Sequence, residues 1–411
     1  MGNQFLNIMN PEDAEKIISH LPFKKKVEKL TIENAYQRVL SENIYAPINL
    51  PPFKRAAMDG YALKAKDTFR ASEDKPSSLK LLEVVMAGEV PQKKVEEGTC
   101  IEVSTGAPIP EGADAVIMIE FAEKKDENIL MLENVASGAN ISNEGSDVKK
   151  GDLLLPEGEF ITPDKIGVLS AIGLSKIPVY VQPQVAVIST GNEIIKHNET
   201  LEYGKIYDIN SYTIFNAVKS CGCQPIHSEI VKDDFEILKN KIIEFKDADI
   251  IITSGGTSAG AGDVLRLVLD EIGEVLVHGI AVKPGKPTII GLIKDEKEGQ
   301  IIFGLPGYPV SALMIFYVFI APFLRKISSL TDGNVENKNI KLKLSRRFRP
   351  ARGRKQYVLV KIRENQAHPI LKDSGAITAL AEADGYFEVP KNVEILEEGS
   401  TVTVVPLYYF K

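Results

Sequence analysis

Between residues 183 and 328, unbroken apolar runs alternate with amphipathic stretches. "QVAVIST", "QPIHSEIV", "ADIIITS", "EVLVHGI", "PTIIGLI" and "QIIFGLP" predict strands. "DINSYTIFNAVKSC", "DDFEILKNKIIEF", "DVLRLVLDEI" and "YPVSALMIFYVFIAPFL" predict helices between and after them. Strands that lack polar alternation are those covered on both faces, so the pattern predicts a doubly wound, mostly parallel α/β sheet. Ligands of such sheets bind beyond the carboxyl ends of the strands. That rule singles out three loops, at 189–193, 254–263 and 304–309.

Elsewhere the periodicity changes. Residues 11–46 read as an amphipathic helical start, with Asn10 and Thr31 as N-caps. After it come short β-like runs, "LKLLEVVMAG", "GTCIEVSTG", "ADAVIMIE" and "ILMLENV", separated by turn residues. "GSDVKKGDLLLPEGEFITPDKIGVLSAIG" then returns to one strand and a helix. The order predicts an inserted β domain (51–145) within a helical, linking domain built from 1–50 and 146–181. The α/β domain follows at 182–328. Past a linker, "IKLKLSRRF", "KQYVLVKIR", "YFEVP" and "STVTVVPLYY" predict a barrel-like C-terminal β domain over 329–411. A chain of 411 residues exceeds what one hydrophobic core supports, which agrees with several domains.

Composition removes some function classes. A formal charge of −7 argues against a nucleic-acid partner, which needs a basic face. No apolar run is both long and unbroken enough to cross a bilayer. The first residues lack the basic-then-apolar layout of a signal peptide, so a cytoplasmic protein is expected. The five histidines lack zinc-site spacing. Cys221-Gly222-Cys223 is too tight for a redox or zinc pair and reads as small buried residues where a helix ends.

The chemistry concentrates at the strand ends. The loop "SGGTSAGAGD" at 254–263 combines glycines and hydroxyls ahead of a helix, as in a backbone cradle for an anion; a tight turn capped by Asp263 is the alternative. It is neither a Walker A loop nor a dinucleotide fingerprint. Acids gather on the same rim: Glu193, Asp208, Asp233, Asp234 and Asp263. Helix capping accounts for Asp208 and for one of Asp233 and Asp234. Hard oxygen ligands beside a phosphate loop suggest Mg²⁺, which binds through one or two carboxylates plus substrate phosphates. Lys283 and Lys286, stiffened by Pro284, Gly285 and Pro287, suggest a fixed anion contact. In the inserted domain, "PPFKRAAMDGYAL" and "STGAPIPEGAD" stand out, although turn formation explains their residue types equally.

Eight collinear blocks carry a resemblance: "AMDGYAL", "STGAPIPEGADAV", "GSDVKKGD", "ISTGNEI", "GKIYDINS", "ITSGGTSAGAGD", "VKPGKPT" and "GLPGYPVSAL". Together they resemble the MoeA, or molybdopterin molybdenumtransferase, family, to which the C-terminal domain of gephyrin also belongs. Smaller pterin-adenylylating and CinA-like domains share single blocks but not the inserted or C-terminal domains. The resemblance implies an elongated homodimer with its active site in the cleft between subunits. It implies adenylated molybdopterin and molybdate as substrates, Mg²⁺ as cofactor, and release of AMP as molybdenum is left on the pterin dithiolene. A pterin adenylyltransferase that supplies the substrate is a further implied partner. By matching position, Asp59, Thr105, Asp147, Glu193, Asp233 and Asp263 are the implied catalytic residues, with Glu193 and Asp263 on the metal. Ser254, Gly255, Gly256, Thr257, Ser258, Pro306 and Pro309 are implied around the pterin phosphate. Lys283, Lys286, Arg354 and Ser374 are implied around molybdate, with Arg352 or Gly375 as the other register. Tyr308 departs from the family, where many relatives carry asparagine. A tungstate-using paralogue and a non-catalytic scaffold are the alternative readings.

Overall fold

The computed structural model describes residues 8–255, 264–293, 299–330 and 339–407. The chain divides into two compact units, one of residues 42–157 and 163–176, the other of the remainder.

The smaller unit is built on a six-stranded sheet in the order 115–118, 60–63, 99–103, 77–85, 128–131, 122–125. All neighbours are antiparallel except Ser77–Val85 beside Thr99–Val103. Alternate residues feed two cores, as the period of a strand requires. Tyr61, Leu63, Cys100, Ala115, Ile117, Ile129 and Met131 pack on one side, and Ala62, Ile101, Val103 and Val116 on the other. Short ribbons tie the ends of the unit together, Arg55–Ala56 with Ile141–Ser142 and Ile44–Tyr45 with Leu153–Leu155.

The larger unit holds the α/β sheet. Its strands are β1 (Gln184–Thr190), β2 (Gln224–Val231), β3 (Ile250–Ser254), β4 (Gly273–His278), β5 (Ile289–Ile293) and β6 (Gln300–Leu305). Their order is β2-β1-β3-β6-β5-β4. The first four are parallel, and β5 runs antiparallel to both of its neighbours, β6 and β4. Val185, Val187, Ile250, Ile252, Ile301 and Phe303 face one layer, while Ala186, Ile188, Ile251, Ile302 and Ile289 face the other. Burial on both faces is why these strands read as continuous apolar runs. The helices are α1 (Asn210–Ser220), α2 (Phe235–Glu244), α3 (Val264–Ile272) and α4 (Pro309–Ile327). Against the sequence expectation, α4 is by length and composition apolar enough to cross a membrane, yet most of it is buried in the α/β core. Its middle, Phe316–Ile320, widens to a π turn just before Pro322, which has no N–H to give the preceding turn. At the end of α1, Cys221 and Cys223 are buried around Gly222 at φ 73°.

The C-terminal strands Ile340–Leu344, Lys355–Arg363, Gln366–Pro369, Gly385–Val389 and Thr401–Pro406 form a closed five-stranded barrel, because Lys355–Arg363 pairs with both Gln366–Pro369 and Gly385–Val389. Phe348, Val358, Val360, Phe387 and Val404 fill it. A sixth segment, Val282–Lys283, leaves the α/β domain to pair with Lys355 and Gln356.

The helical start is shorter than its periodicity predicts. Only Pro11–Ser19 is α-helical; Asn10 takes the extended N-cap conformation but makes no side-chain cap. Val27–Thr31 is a strand beside Lys176–Tyr180, and Thr31 precedes only a 3₁₀ turn. Ala35, Val39 and Leu40 are buried at helix-like spacing, but the chain between them turns at Gln37 with φ 61°. Leu40 then donates to the Glu159 carbonyl, and Tyr180 to that of Val39. Pairing with residues more than a hundred positions away overrides the local pattern.

Candidate functional site

The carboxyl ends of β1, β3 and β6 converge as the strand-end rule predicts. Gly255 donates to the Leu305 carbonyl at 3.1 Å, joining the ends of β3 and β6. With φ 103°, Gly255 lies so close to β1 that a Cβ would sit 2.1 Å from the Thr190 carbonyl oxygen, so only glycine fits. Ser254 is 1% exposed and sits beneath the rim. Its hydroxyl donates to the Pro306 carbonyl (3.2 Å) and accepts from the Asn210 amide (2.7 Å), whose nitrogen also reaches the Gly307 carbonyl at 2.7 Å. These bonds fix the Pro306–Pro309 loop over the sheet edge.

Above them opens a cleft of about 690 Å³. Glu193, Asp233, Gly255, Lys286, Pro306 and Pro309 all line it, so it gathers sequence-singled residues from five segments. Most of its remaining wall is apolar or aromatic: Ile194, Ile206, Tyr207, Ile209 and Tyr308. Ile194–Ile195 and Ile206–Tyr207 pair as two short parallel strands and hold that wall in place.

The acids of the rim divide by their partners. Asp208 is buried; it accepts from the Ser189 hydroxyl (2.9 Å), the Ser211 N–H (3.1 Å) and the Ser211 hydroxyl, and so ties β1 to the first turn of α1. Asp234 is the N-cap of α2, accepting from Ile237 N–H at 3.0 Å. Glu193 is exposed at the cleft edge. Asp233 is half-buried, and its Oδ1 is shielded without a hydrogen-bond partner among the described residues. No group of three or more His, Cys, Asp or Glu side chains gathers around a metal position among the described residues. Gly256, Thr257, Ser258 and Asp263 lie outside the described residues.

A second cleft, of about 580 Å³, shares Lys286 and Pro287 with the first. Lys283, Arg349, Arg354 and Ser374 line it as well. Four segments, around 282–287, 310–314, 348–359 and 370–379, build it. The pairing of Lys283 with Gln356 brings "VKPGKP" against the barrel, two residues from Arg354. Gln356 Oε1 accepts the Ala351 N–H at 2.7 Å, which closes the turn that carries Arg354. Val310, at the start of α4, donates to the Ser374 carbonyl at 3.1 Å. The lysine loop is itself clamped. Thr288 Oγ1 donates to the Gly285 carbonyl (2.7 Å), and a Cβ on Gly285 would lie 2.2 Å from Ile315 Cγ1. Lys372 also lines this cleft but is paired with Glu382 at 2.5 Å. Excess positive charge in a cleft of this size suits a small oxyanion.

In the smaller unit, Asp59 Oδ1 accepts the Thr105 N–H (2.6 Å) and hydroxyl (2.8 Å). Both bonds favour the ionised form, so the carboxyl is held below its ordinary range. Asp147 has an exposed side chain, and its backbone N–H bonds the Leu50 carbonyl at 3.0 Å.

Three family models match in order: the MoeA N-terminal region (domain I and II) over 9–173, "Probable molybdopterin binding domain" over 186–326, and the MoeA C-terminal region (domain IV) over 341–407. A molybdopterin molybdenumtransferase of Haemophilus influenzae is 36% identical over 76% of this chain and 76% of its own length. Molybdopterin molybdenumtransferase 2 of Mycobacterium tuberculosis is 31% identical over 96% of this chain and 98% of its own. The crystal structure of a molybdopterin biosynthesis MoeA protein from Pyrococcus horikosii superposes with a TM-score of 0.84 at 39% identity, covering 97% of this chain and 99% of that one. The chain belongs to the MoeA family.

Within that family frame, Asp59, Thr105 and Asp147 fall in the N-terminal match, and both clefts draw on the middle one. Arg354 and Ser374 fall in the C-terminal match. Gly375 lines the first cleft and Ser374 the second, so the two registers of that segment serve different clefts of this MoeA chain. Sequence reasoning missed Arg349, although the basic run "RRFRPARGR" carried the signal. It also gave no role to Ile206 and Tyr207 in the apolar wall, although the block "GKIYDINS" contains both.

Proposed function

We propose that this chain is a molybdopterin molybdenumtransferase that inserts molybdate into adenylated molybdopterin and releases AMP. The observation that carries the reading is the pair of adjoining clefts that share Lys286. One is cationic, the other mostly apolar with three carboxylates, Glu193, Asp208 and Asp233, and a substrate that must meet an oxyanion needs both. Molybdate, a dianion with four oxygens, is held in this reading by Lys283, Lys286, Arg354 and the Ser374 hydroxyl, with Arg349 added. The dithiolene sulfurs belong to the substrate, which agrees with three buried cysteines that line neither cleft.

Hydrolysis of the pyrophosphate link adds one water across a P–O–P bond, leaving AMP and the pterin phosphate. Mg²⁺ would neutralise charge on the phosphates as that bond breaks. The donor chemistry fits it, because one or two carboxylates suffice when substrate phosphates and water complete the shell. Glu193 at the cleft edge is the described candidate ligand, with Asp263 from the sequence reading as the other. Ser254 and Gly255 shape the floor against which the pterin phosphate lies, and Pro306 and Pro309 its side. Asp59, held ionised by Thr105, and Asp147 are assigned to the same reaction. The active form is a cytoplasmic homodimer that takes its substrate from a pterin adenylyltransferase.

The test is incubation with adenylated molybdopterin, with molybdate, tungstate or neither, and with or without Mg²⁺. AMP release that depends on Mg²⁺, with molybdenum retained on the pterin, supports the proposal. Retention of tungsten alone would assign the chain to tungstate, and absence of AMP release would leave a non-catalytic scaffold.

A further inference from the structure

The lysine loop enters the cationic cleft from a short strand, Val282–Lys283, and two other segments grip that entry. The barrel is one: Val282 pairs with Lys355 and Lys283 with Gln356, in parallel. The N-terminal segment is the other. Met9 N–H donates to the Gly279 carbonyl at 2.9 Å, and Ala281 N–H donates to the Met9 carbonyl at 2.8 Å. Just past Met9 the chain begins the Pro11–Ser19 helix, anchored by Ala14 and Ile18 in the core. Its second residue, Glu12, reaches Lys355 Nζ at 2.8 Å. A ring is thereby closed: backbone bonds join 279–281 to Met9, the chain runs on to Glu12, an ion pair joins Glu12 to Lys355, and strand pairing returns to Val282. Glu388, on the neighbouring barrel strand, holds Lys355 as well, at 3.0 Å. All of these residues belong to the larger unit.

Exposed ion pairs contribute little because water competes for both charges. This clasp differs, since the Lys355 side chain is only 14% exposed and depends on its two carboxylates. Burial opposes its charge, yet the bonds to Glu12 and Glu388 override burial and hold the ammonium above its ordinary range. In return, the bond from Lys355 holds the Glu12 carboxyl below its own. Glu15, one turn further along the helix, feels the same group. Desolvation raises its carboxyl above the ordinary range against the pull of Lys355, and the charges of Glu388 and Glu12 add to the rise. Three carboxylates thus share this ammonium, and its loss leaves them repelling each other where the helix meets the barrel. Lys355 lines neither cleft, so any effect it has on a ligand passes through the strand it pairs with.

We propose that Lys355 is a positioning residue for the oxyanion cleft: clasped by Glu12 and Glu388, it locks the N-terminal segment and the barrel around residues 279–283 and so fixes where Lys283 and Lys286 stand. The inference rests on the proposed function for the identity of the oxyanion as molybdate.

The test measures molybdate affinity of the full chain by calorimetry, and hydrogen exchange of the peptide spanning 279–283 by mass spectrometry. Glu12→Gln removes one exposed partner and weakens molybdate binding by about 3-fold. Lys355→Met weakens it by about 10-fold. Lys355→Arg keeps the charge and stays within about 2-fold of wild type. The Glu12→Gln/Lys355→Met double variant binds no more weakly than Lys355→Met, because both act on one clasp and the glutamine removes an unpaired charge. Exchange at 279–283 rises in step with each loss of affinity. Should Lys355→Met fail to fold, Glu12→Gln and Lys355→Arg still carry the test. The inference is overturned by molybdate affinity that ignores Glu12→Gln and Lys355→Met, by affinity lost with no change in exchange at 279–283, or by losses that multiply in the double variant. A clasp that served stability alone would lower the urea midpoint and leave molybdate affinity intact, which also overturns it. Molybdenum transfer at saturating molybdate separates the two claims. Transfer with substitution-blind molybdate binding sinks only the positioning role, whereas the expected changes in binding and exchange without transfer in wild type sink only the proposed function.

Discussion

The Asp59 carboxylate takes both the backbone N–H and the hydroxyl of Thr105, at 2.6 and 2.8 Å, on a single oxygen. Because both bonds stabilise the ion, the folded carboxyl titrates below its ordinary value of 3.8. A depressed folded pKa contributes stability that is present above the unfolded value and lost as pH falls through the folded one. The acid limb below pH 3.8 is therefore where this pair matters. Carbon-detected NMR titration should find the Asp59 carboxyl low in wild type and raised toward 3.8 in Thr105→Val, which deletes one of its two bonds. An unchanged titration would show that the hydroxyl contributes nothing.

Asp208 is predicted to be structural. It joins β1 to α1 through Ser189 and both polar groups of Ser211. Asp208→Ala leaves those donors buried and unpaired, at a cost of about 3 kcal/mol. Urea unfolding followed in the α/β domain should report a loss of that order. A loss below about 1 kcal/mol would mean that water replaces the carboxylate.

Gly285 fixes the two lysines. At φ 99°, with Ile315 Cγ1 2.2 Å from a would-be Cβ, Gly285→Ala meets both backbone strain and a clash with α4. The expected cost is about 2 kcal/mol or more. The chain escapes by moving "VKPGKP", so molybdate affinity should fall with stability. Adding Ile315→Ala relieves the clash but not the strain and should recover only part of the loss. Oxyanion affinity measured by calorimetry on the three chains checks this; full recovery in the double variant would refute the backbone part.

The cysteines should be silent in the native state. Burial pushes Cys100 up to about 12 and Cys221 to about 11, and raises Cys223 as well. At pH 8 almost no thiolate exists and no thiol is exposed, so a thiol reagent should label the folded chain only as fast as it opens. Three thiols should appear at once in denaturant. Rapid labelling of any one in the native chain would contradict the burial.

The α/β strands were legible because burial on both faces writes itself as unbroken apolar runs, and the strand-end rule then pointed to the rim where the first cleft opens. Capping by Asp208 and Asp234 was legible for the same local reason. Residues 27–46 were not, since Val27–Thr31 and Leu40 take their conformation from partners near 159 and 176–180. The cationic cleft was legible only in pieces. Lys283 and Lys286 announce themselves through proline and glycine, but Arg349 and Arg354 join them through a strand register that no local pattern encodes. Tyr308 was visible as a departure from its family, whereas the orphaned acceptor of Asp233 needed coordinates.

The central claim is that oxyanion capture and cleavage of the adenylated pterin are joined at Lys286, which both clefts share. The most direct measurement is a single turnover of adenylated molybdopterin with molybdate, counting AMP released and molybdenum retained on the pterin, in wild type and in Lys286→Ala. The account predicts equal amounts of AMP and bound molybdenum in wild type, and molybdenum retention lost in the variant. Full retention in Lys286→Ala, or wild-type AMP release with no molybdenum on the pterin, would contradict it.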